Sequence, residues 1–198
     1  MKKAGLMIVI LGFLMIFAAA SVTPAAAADD YLWTNESAMT RFLAKYYHID
    51  PIVVISLGQR MNFPDDVSVA IYLAKAAERS PMEFLEPRIS KKSWMEITGL
   101  LKLDPVILFT ALPPKTPVPE VFKHAYQEYN KHQKDSAYPI ILYDKEFRNL
   151  VQLKLMTDAF KKPPQDVMKA VSQGKSFTSL ILAELSSKDD KGSRNEDQ

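Results

Sequence analysis

The feature that most constrains this fold is a residue pair that starts helices. A Ser, Thr or Asp side chain can cap the free N–H groups of a helix, and proline is favoured at the next position because its missing N–H costs nothing there. The pair occurs at Asp50-Pro51, Ser80-Pro81, Asp104-Pro105 and Thr116-Pro117. The runs that begin at Ser80 and Ser93 also have the Ser-x-x-Glu spacing of a capping box. The pattern therefore predicts an all-α protein.

Apolar residues at helical spacing follow these starts and define the rest of the fold. We predict about ten helices after the signal peptide, arranged as short antiparallel helix pairs that stack into a compact repeat-like bundle. The predicted ranges are 37–47, 51–60, 65–79, 81–90, 94–102, 105–111, 117–133, 145–161, 164–173 and 177–186. The helix 65–79 is apolar on most sides, so we expect it to be central and buried.

The first 28 residues have the three-part layout of a secretory signal peptide. A short basic start precedes an apolar run that ends at Phe17, and the small side chains of Ala26 and Ala28 place the cut after Ala28. A retained membrane anchor is the alternative, but the apolar run is shorter than the roughly 20 residues of a spanning helix. We therefore expect an exported protein, periplasmic or extracellular, with no stable membrane insertion after cleavage.

Charge and cysteine content exclude several classes of protein. The full chain has 25 Lys and Arg against 23 Asp and Glu. Removal of Lys2 and Lys3 with the leader makes these numbers equal, so nothing suggests a nucleic-acid partner, which would need a concentrated basic face. The absence of cysteine excludes disulfides, lipoprotein anchoring and cysteine-based zinc or iron–sulfur sites. We expect no cofactor.

Prolines and polar residues divide the mature chain. Four prolines lie in the stiff stretch 113–119, which we interpret as a linker between an N-terminal helical lobe, 29–112, and a C-terminal helical lobe, 120–186. Residues 187–198 are polar and charged, which predicts a disordered tail. The segment 138–143 resembles a strand without an obvious partner, and we interpret it as an extended connector packed on the core.

A weak internal repeat accompanies these elements. An offset of 30 residues aligns Asp50-Pro51 with Ser80-Pro81, and an offset of 82 aligns Ser80-Pro81 with Lys162-Pro163. With one residue inserted, Lys92-Ser93-Trp94 then matches Lys175-Ser176-Phe177. Such a unit would bury its apolar face only by stacking on neighbours. Chance similarity between helices with short loops is the alternative explanation.

The run from Ser80 to Pro105 resembles a group of exported bacterial helical proteins. In that group an Arg, a polar or glycine turn and a Trp-x-Glu-Ile helix start recur, and here Arg88 and Trp94-Met95-Glu96-Ile97 match. The resemblance covers about residues 50–110, with a fainter echo at 162–182. It implies a helical fold and no assigned activity. This chain departs from the pattern in the turn, where Ser90-Lys91-Lys92-Ser93 stands and glycine is expected.

One helix carries the only spacing that suggests a metal. Glu120, His124, Glu128 and His132 follow one another at intervals of four, which can align ligands along one helix face. The stronger interpretation is a solvated flank beside a buried stripe, because alternating Glu and His pair well on a helix surface. We therefore predict no metal site. His48, at a helix end, suits the last carbonyl groups of that helix rather than catalysis.

Recognisable catalytic motifs are missing, and the functional expectation follows from that. The chain has no Gly-x-Ser-x-Gly, no Walker-type loop and no dinucleotide fingerprint. We expect a binding or assembly module of the cell envelope with an envelope protein as partner, rather than an enzyme. The alternative is a cell-envelope hydrolase that uses a pair of acids.

Three residues form the candidate interaction patch. Trp94 follows Arg88, Lys91 and Lys92 closely, and Glu96 lies in the same turn of helix. An exposed tryptophan beside cations would suit a protein partner. The competing interpretation is that Trp94 fills the core, as tryptophan at a first helical position often does. We therefore select Arg88, Trp94 and Glu96 as the candidate site, and we assign no catalytic residues.

Overall fold

Helices are the only regular secondary structure in the part of the chain that the structure describes. This computed structural model gives the backbone of residues 38–62 and 64–193, with side chains up to residue 187. No β-strand occurs in these ranges, so the all-α prediction is confirmed for them. The predicted signal peptide, 1–28, lies outside the described residues.

Nine α-helices and two short 3-10 helices make up the described chain. Helix α1 is described over 38–47. The others are α2 (Pro51–Gly58), α3 (Asp65–Ala77), α4 (Leu85–Ile89), α5 (Trp94–Leu100), α6 (Glu120–Lys134), α7 (Asp144–Phe160), α8 (Pro164–Ser172) and α9 (Phe177–Ser193). The 3-10 helices are Pro81–Phe84, directly before α4, and Pro105–Leu108.

Three of the four predicted cap–proline pairs start helices. Asp50 accepts from the Ile52 N–H at 2.8 Å, and Ser80 and Asp104 cap the two 3-10 helices in the same way. Both predicted capping boxes are also present, at Ser80 and Ser93. The fourth pair is wrong, because the Thr116 hydroxyl donates to the Pro113 carbonyl in a turn instead of capping a helix.

The other differences follow from the proline-rich stretch and from the C-terminus. The predicted helix 105–111 is only the 3-10 helix Pro105–Leu108, since the backbone is already extended at Phe109. The predicted helix 117–133 begins later, at Glu120, because Pro119 takes an extended conformation with φ −61° and ψ 155°. At the other end, α9 continues to Ser193 where we predicted a disordered tail from residue 187.

One hydrophobic core joins both predicted lobes. Helix α3 is buried on most of its surface, as predicted, and it packs closely against α7 from the other side of the proline-rich stretch. Buried residues from 39 to 181 form one cluster that includes Leu73, Trp94, Phe122 and Leu150. The division into 29–112 and 120–186 therefore does not correspond to two separate cores.

Within the described ranges, six helix ends turn on a residue with left-handed backbone, and only one of these six residues is glycine. They are His48, Glu78, Lys91, Lys102, Lys161 and Gly174, with φ between 54° and 88°. The left-handed region costs an ordinary L-residue about 1–2 kcal/mol, so five of these turns are strained. The chain thus ends its helices sharply while using little glycine.

The turn after α4 and the turn after α8 have the same hydrogen bonds. Three consecutive N–H groups in each turn donate to carbonyl groups of the helix before it. The bonds are Ser90 to Glu86, Lys91 to Arg88 and Lys92 to Pro87 in one turn, and Gln173 to Lys169, Gly174 to Val171 and Lys175 to Ala170 in the other, all between 2.9 and 3.2 Å. The left-handed residue is Lys91 in the first turn and Gly174 in the second.

Substitution of the left-handed residue in each of these two turns tests whether the backbone there is strained. We expect Lys91→Gly to raise the free energy of unfolding by about 0.5–1 kcal/mol, because glycine adopts φ 62° without a Cβ clash. Gly174→Ala should lower it by about 1 kcal/mol for the opposite reason, since no heavy atom lies within 4 Å of the new Cβ and only φ is unfavourable. Urea unfolding monitored by circular dichroism measures both changes, and equal stabilities for the three proteins would contradict the interpretation.

Candidate functional site

A buried carboxylate lies at the junction of α3, α4, α5 and α7. Asp66, in the first turn of α3, is 5% exposed. It accepts hydrogen bonds from the Trp94 Nε1–H at 3.0 Å, from Arg88 Nε at 3.2 Å and from Arg148 Nε at 2.7 Å. Buried acids are stable in proteins only when they are paired and hydrogen-bonded in this way. We call Asp66, Arg88, Trp94, Asp144 and Arg148 the Asp66 cluster.

Arg88 uses all of its guanidinium nitrogens inside this cluster. Nε and Nη2 face Asp66, and Nη1 donates to Asp144 Oδ2 at 2.6 Å and to the Lys92 carbonyl at 2.9 Å. The guanidinium also lies over the Trp94 ring, 4.9 Å from its centre. An arginine with its planar donors occupied in this way orients several groups at once. It has no nitrogen left without a protein acceptor.

Asp144 connects the cluster to the start of α5. Its Oδ1 accepts from the Trp94 backbone N–H at 2.8 Å, and its Oδ2 accepts from Arg88. A negative charge at the N-terminus of a helix is favourable because the backbone N–H groups there are free. Asp144 therefore holds the first residue of α5 against the first residue of α7.

The two arginines balance the two aspartates, so the cluster carries no net charge. Burial acts to lower the pKa of Arg148, but the hydrogen bond to Asp66 and the attraction of the nearby aspartates outweigh it and raise that pKa. Asp66, Arg88 and Asp144 of the cluster line an open depression together with Arg60, Asn62 and Lys91. The cluster itself has the chemistry of a structural joint, since its charges neutralise one another.

The predicted interaction patch is corrected by this geometry. Trp94 has no exposed surface, so it fills the core and contributes nothing to the protein surface. The Arg88 side chain is 14% exposed and bound within the cluster. Glu96 is exposed, and its carboxylate accepts from the Ser93 N–H at 2.7 Å as part of the capping box. The three residues therefore share a structural role rather than one face.

The row of Glu and His on α6 lies along the segment 138–143. His124 Nδ1 is 2.9 Å from Glu146 Oε1, and its ring stacks on Tyr143. His132 Nδ1 donates to the Tyr138 carbonyl at 2.7 Å. This row of four residues was expected to face solvent, but its third member, Glu128, is only 4% exposed. The segment packs against that side of the helix.

Glu128 gives this contact a pH dependence. The hydrogen bond from Lys131 lowers the pKa of the Glu128 carboxyl, although burial opposes it, and the Ile141 N–H adds to the lowering. A carboxyl with a lowered folded pKa stabilises the protein above its unfolded pKa and loses that contribution as the pH falls. We expect Glu128→Gln to make stability less dependent on pH below the ordinary glutamate pKa. Urea unfolding at about pH 6 and about pH 3.5 measures this difference, and identical pH dependence in the variant would contradict it.

The other residues considered as metal ligands or catalytic groups do not lie together in the structure. Within the described ranges no three His, Asp or Glu side chains converge as they would around a metal ion. His124 and His132 bind different partners, Glu146 and Tyr138. His48 turns the chain after α1 with φ 56°.

Sequence reasoning missed three members of the cluster. Asp66, Asp144 and Arg148 were not selected, because each looks like an ordinary charged residue in the first turn or two of a helix. Asp66 did carry a signal, since it precedes the stretch Val67–Ala74, which is apolar apart from Ser68 and Tyr72. An acid at the start of a helix that is buried on all sides must itself find buried partners.

Among the described helices none combines the length and apolar character that crossing a membrane requires. Comparison with protein-family models, curated proteins and solved structures finds no match for this chain.

Proposed function

We propose that this chain is an exported helical protein that serves as a binding or assembly module in the periplasm or outside the cell. The observation that carries the proposal is the Asp66 cluster. Every nitrogen of Arg88 is bound to a protein acceptor, and Asp66 is nearly inaccessible to solvent. A charged cluster whose members are bound to one another in this way holds helices together instead of acting on a substrate.

We also propose that the chain contains two stacked copies of one helical unit, α3–α5 and α7–α9. The support is a constant offset of 83 residues. It relates Lys91 to Gly174 at the matching turns, and Glu78 to Lys161 at the matching ends of α3 and α7, where φ is 55° and 56°. The same offset relates Pro81 to Pro164, so the register differs by one residue from the alignment of Pro81 with Pro163.

The second unit lacks the charged side chains and the tryptophan of the first. The offset relates Asp66, Arg88 and Trp94 to Asn149, Val171 and Phe177. The Asn149 amide nitrogen is buried and has no hydrogen-bond partner among the described residues. The first unit thus presents a charged face to Asp144 and Arg148 of the second, whereas the second ends in an apolar version of that face. An atypical last unit is the usual way to terminate a stacked array.

The resemblance to exported bacterial helical proteins belongs to the same proposal. In this chain the Arg, the turn and the Trp-x-Glu-Ile start are the residues that build the Asp66 cluster and the N-terminus of α5. We propose that the recurring motif in such proteins marks the joint between stacked units. Residues that maintain a joint assign no activity by themselves.

The hydrolase alternative receives no support from the acids that the structure brings together. Asp66 and Asp144 are both bound to Arg88, and Asp66 is also bound to Trp94 and Arg148. Both acids line the open depression, but a glycosidase pair needs carboxyl groups that are free to exchange a proton or to attack the sugar, and these two are already bound to arginine. A module that only binds is therefore the better supported function.

The test compares binding with turnover. Immobilised mature protein, residues 29–198, should retain one envelope protein from host extract at a saturating, fixed molar ratio. The Arg88→Ala variant should lose that protein in proportion to its unfolded fraction, and the exposed control Arg79→Ala should retain it. Turnover of purified cell-wall polymer by the wild type, abolished in Asp144→Asn, would contradict the proposal and establish the hydrolase.

Export has its own test. Amino-terminal sequencing of protein recovered from its host should begin at Asp29, because the signal-peptide layout places the cut after Ala28. An intact Met1 on the mature pool would contradict export.

A further inference from the structure

The depression at the Asp66 cluster carries two positive charges that have no partner in the described part of the chain. Arg60, in the turn after α2, and Lys91, in the turn after α4, are exposed and line this depression of about 390 Å³. Neither side chain makes an ion pair or a hydrogen bond among the described residues. The volume is in the range of roughly 300–1,000 Å³ that is typical of ligand sites.

The acids that line the depression do not neutralise these two charges. Asp66 and Asp144 are bound to Arg88, and Asp66 is also bound to Arg148, so two acids and two arginines cancel within the cluster. The two free cations are therefore added to a neutral floor. Like charges that face one concave surface repel each other, and a bound anion relieves that repulsion. The surplus positive charge favours an anionic ligand.

Apolar side chains line the depression beside the two cations. Met61 is partly buried, whereas Ile89 is 42% exposed. The exposed amide side chain of Asn62, which can both donate and accept a hydrogen bond, lies in the same lining. A ligand that matches these walls joins an anionic group to an apolar group and to a peptide-like polar group. The last residue of a peptide, with its free carboxylate, has all three.

The two turns that carry the cations are fixed before any ligand binds. The Arg60 N–H donates to the Leu57 carbonyl at 3.1 Å, and the Lys91 N–H donates to the Arg88 carbonyl at 3.0 Å. Arg88 Nη1 also donates to the Lys92 carbonyl at 2.9 Å, which ties the second turn to the cluster. Binding groups that are already in place cost less conformational entropy when the ligand binds.

Lys91 occupies a backbone position that favours glycine. Its φ is 62°, and the corresponding residue of the matching turn after α8 is Gly174. Strained residues concentrate at ligand sites, where the strain places a particular side chain. Here the strained residue is one that lines the depression. We therefore expect this lysine to contribute to binding rather than to stability.

We propose that this depression binds the C-terminal carboxylate of a peptide whose last side chain is apolar. Arg60 and Lys91 bind the carboxylate through charge-assisted hydrogen bonds, and Asn62 pairs with the last peptide group. The last side chain packs on Met61 and Ile89. The choice of a peptide over a small anion rests on the proposed function, in which the partner is a protein. The Asp66 cluster forms the floor and holds the two turns in place.

A titration of the purified mature protein, residues 29–198, with acetylated alanyl-leucine tests the ligand class. Chemical-shift changes in nuclear magnetic resonance spectra should give a dissociation constant on the order of 1 mM at low ionic strength. The carboxamide of the same dipeptide should bind at least about tenfold more weakly, because it carries no charge. Sodium chloride at about 1 M should weaken the free acid, since exposed charges are screened. Acetate or inorganic phosphate that binds as tightly as the dipeptide would overturn the inference.

Lys91→Gly separates binding from folding. The variant should bind the dipeptide at least about tenfold more weakly although relief of the strained φ stabilises its fold, so the loss cannot be assigned to unfolding. Lys102→Gly is the matched control, because Lys102 ends α5 with φ 54°. It should stabilise the fold in the same way and leave binding unchanged. Arg60→Gln should weaken binding as Lys91→Gly does, whereas Arg41→Gln, at an exposed position on α1, should not.

The outcomes distinguish this inference from the proposed function. Binding that is the same in Lys91→Gly, Arg60→Gln and the wild type, or the same for the free acid and the carboxamide, would overturn the inference. Capture of an envelope protein from host extract would still support the proposed function in that case. Dipeptide binding that depends on Arg60 and Lys91 would support the depression as a carboxylate site even if no envelope protein were captured.

Discussion

Replacing Arg88 with alanine should lower the free energy of unfolding by about 3–5 kcal/mol. The side chain is 14% exposed, and its removal leaves the carboxylates of Asp66 and Asp144 without their shared partner. An uncompensated buried charge costs far more than the net value of the ion pair itself. Urea unfolding of the variant measures the loss.

Two further variants show whether the loss of stability is specific to the guanidinium group of Arg88. Arg88→Lys should recover only part of the loss, because an ammonium group cannot bind Asp66 and Asp144 with a planar set of donors. Arg79→Ala should cost about 0–1 kcal/mol, since the Arg79–Glu83 pair is about half exposed on both sides. A loss below about 1 kcal/mol for Arg88→Ala would contradict the role assigned to the cluster.

Replacing Trp94 should be nearly as costly, for two separable reasons. Trp94→Ala removes a side chain with no exposed surface and should cost about 3–5 kcal/mol through the cavity that it leaves. Trp94→Phe keeps much of the ring but deletes the Nε1–H that donates to Asp66 at 3.0 Å, and should cost about 1–3 kcal/mol. Thermal and urea unfolding of both variants separates the packing from the hydrogen bond.

The second unit provides the matched control for this pair. Phe177 occupies the position that corresponds to Trp94 under the proposed offset and is also largely buried, with 8% exposure. Phe177→Ala should lose packing alone, with no polar component. If Trp94→Phe were as stable as the wild type, the Asp66 hydrogen bond would have no energetic role.

Local signals in the sequence were sufficient for most helix boundaries. The capping interactions of Ser80 and Ser93 involve atoms two or three residues away, so a short window of sequence contains both partners. Pro119 shows the limit of the same reasoning. A cap–proline pair at Thr116 looks like a helix start, yet a further proline two residues on keeps the backbone extended until Glu120.

The site could not be predicted in the same way because its partners are distant in the chain. Arg88 lies 22 residues from Asp66, and Arg148 lies 82 residues from it. Which arginine reaches which aspartate depends on how α3, α4 and α7 pack, and no periodicity in the sequence encodes that packing. The sequence marked Trp94 and Arg88 as notable and offered the core as one interpretation of Trp94, but it did not indicate that Arg88 is buried.

The sequence predicted the burial of the extended segment 138–143 but not its effect on α6. The strand-like run 138–143, which has no obvious partner in the sequence, predicted a connector packed on the core, and Ile140 and Leu142 are buried as that requires. The role of the Glu and His row on α6 was not predictable. Its third member, Glu128, is buried by the segment 138–143, which follows the turn at the end of that helix. Helical spacing identifies a face but not what covers it.

The most direct test of the account is whether the two halves of the chain unfold as one unit held by the Asp66 cluster. In a Trp33→Phe background Trp94 is the only tryptophan, so its fluorescence reports the cluster while far-ultraviolet circular dichroism reports all helices. The account predicts coincident urea transitions for the two signals, as for a single cooperative core. A separate, earlier loss of the Trp94 signal, with α6–α9 remaining helical, would contradict it.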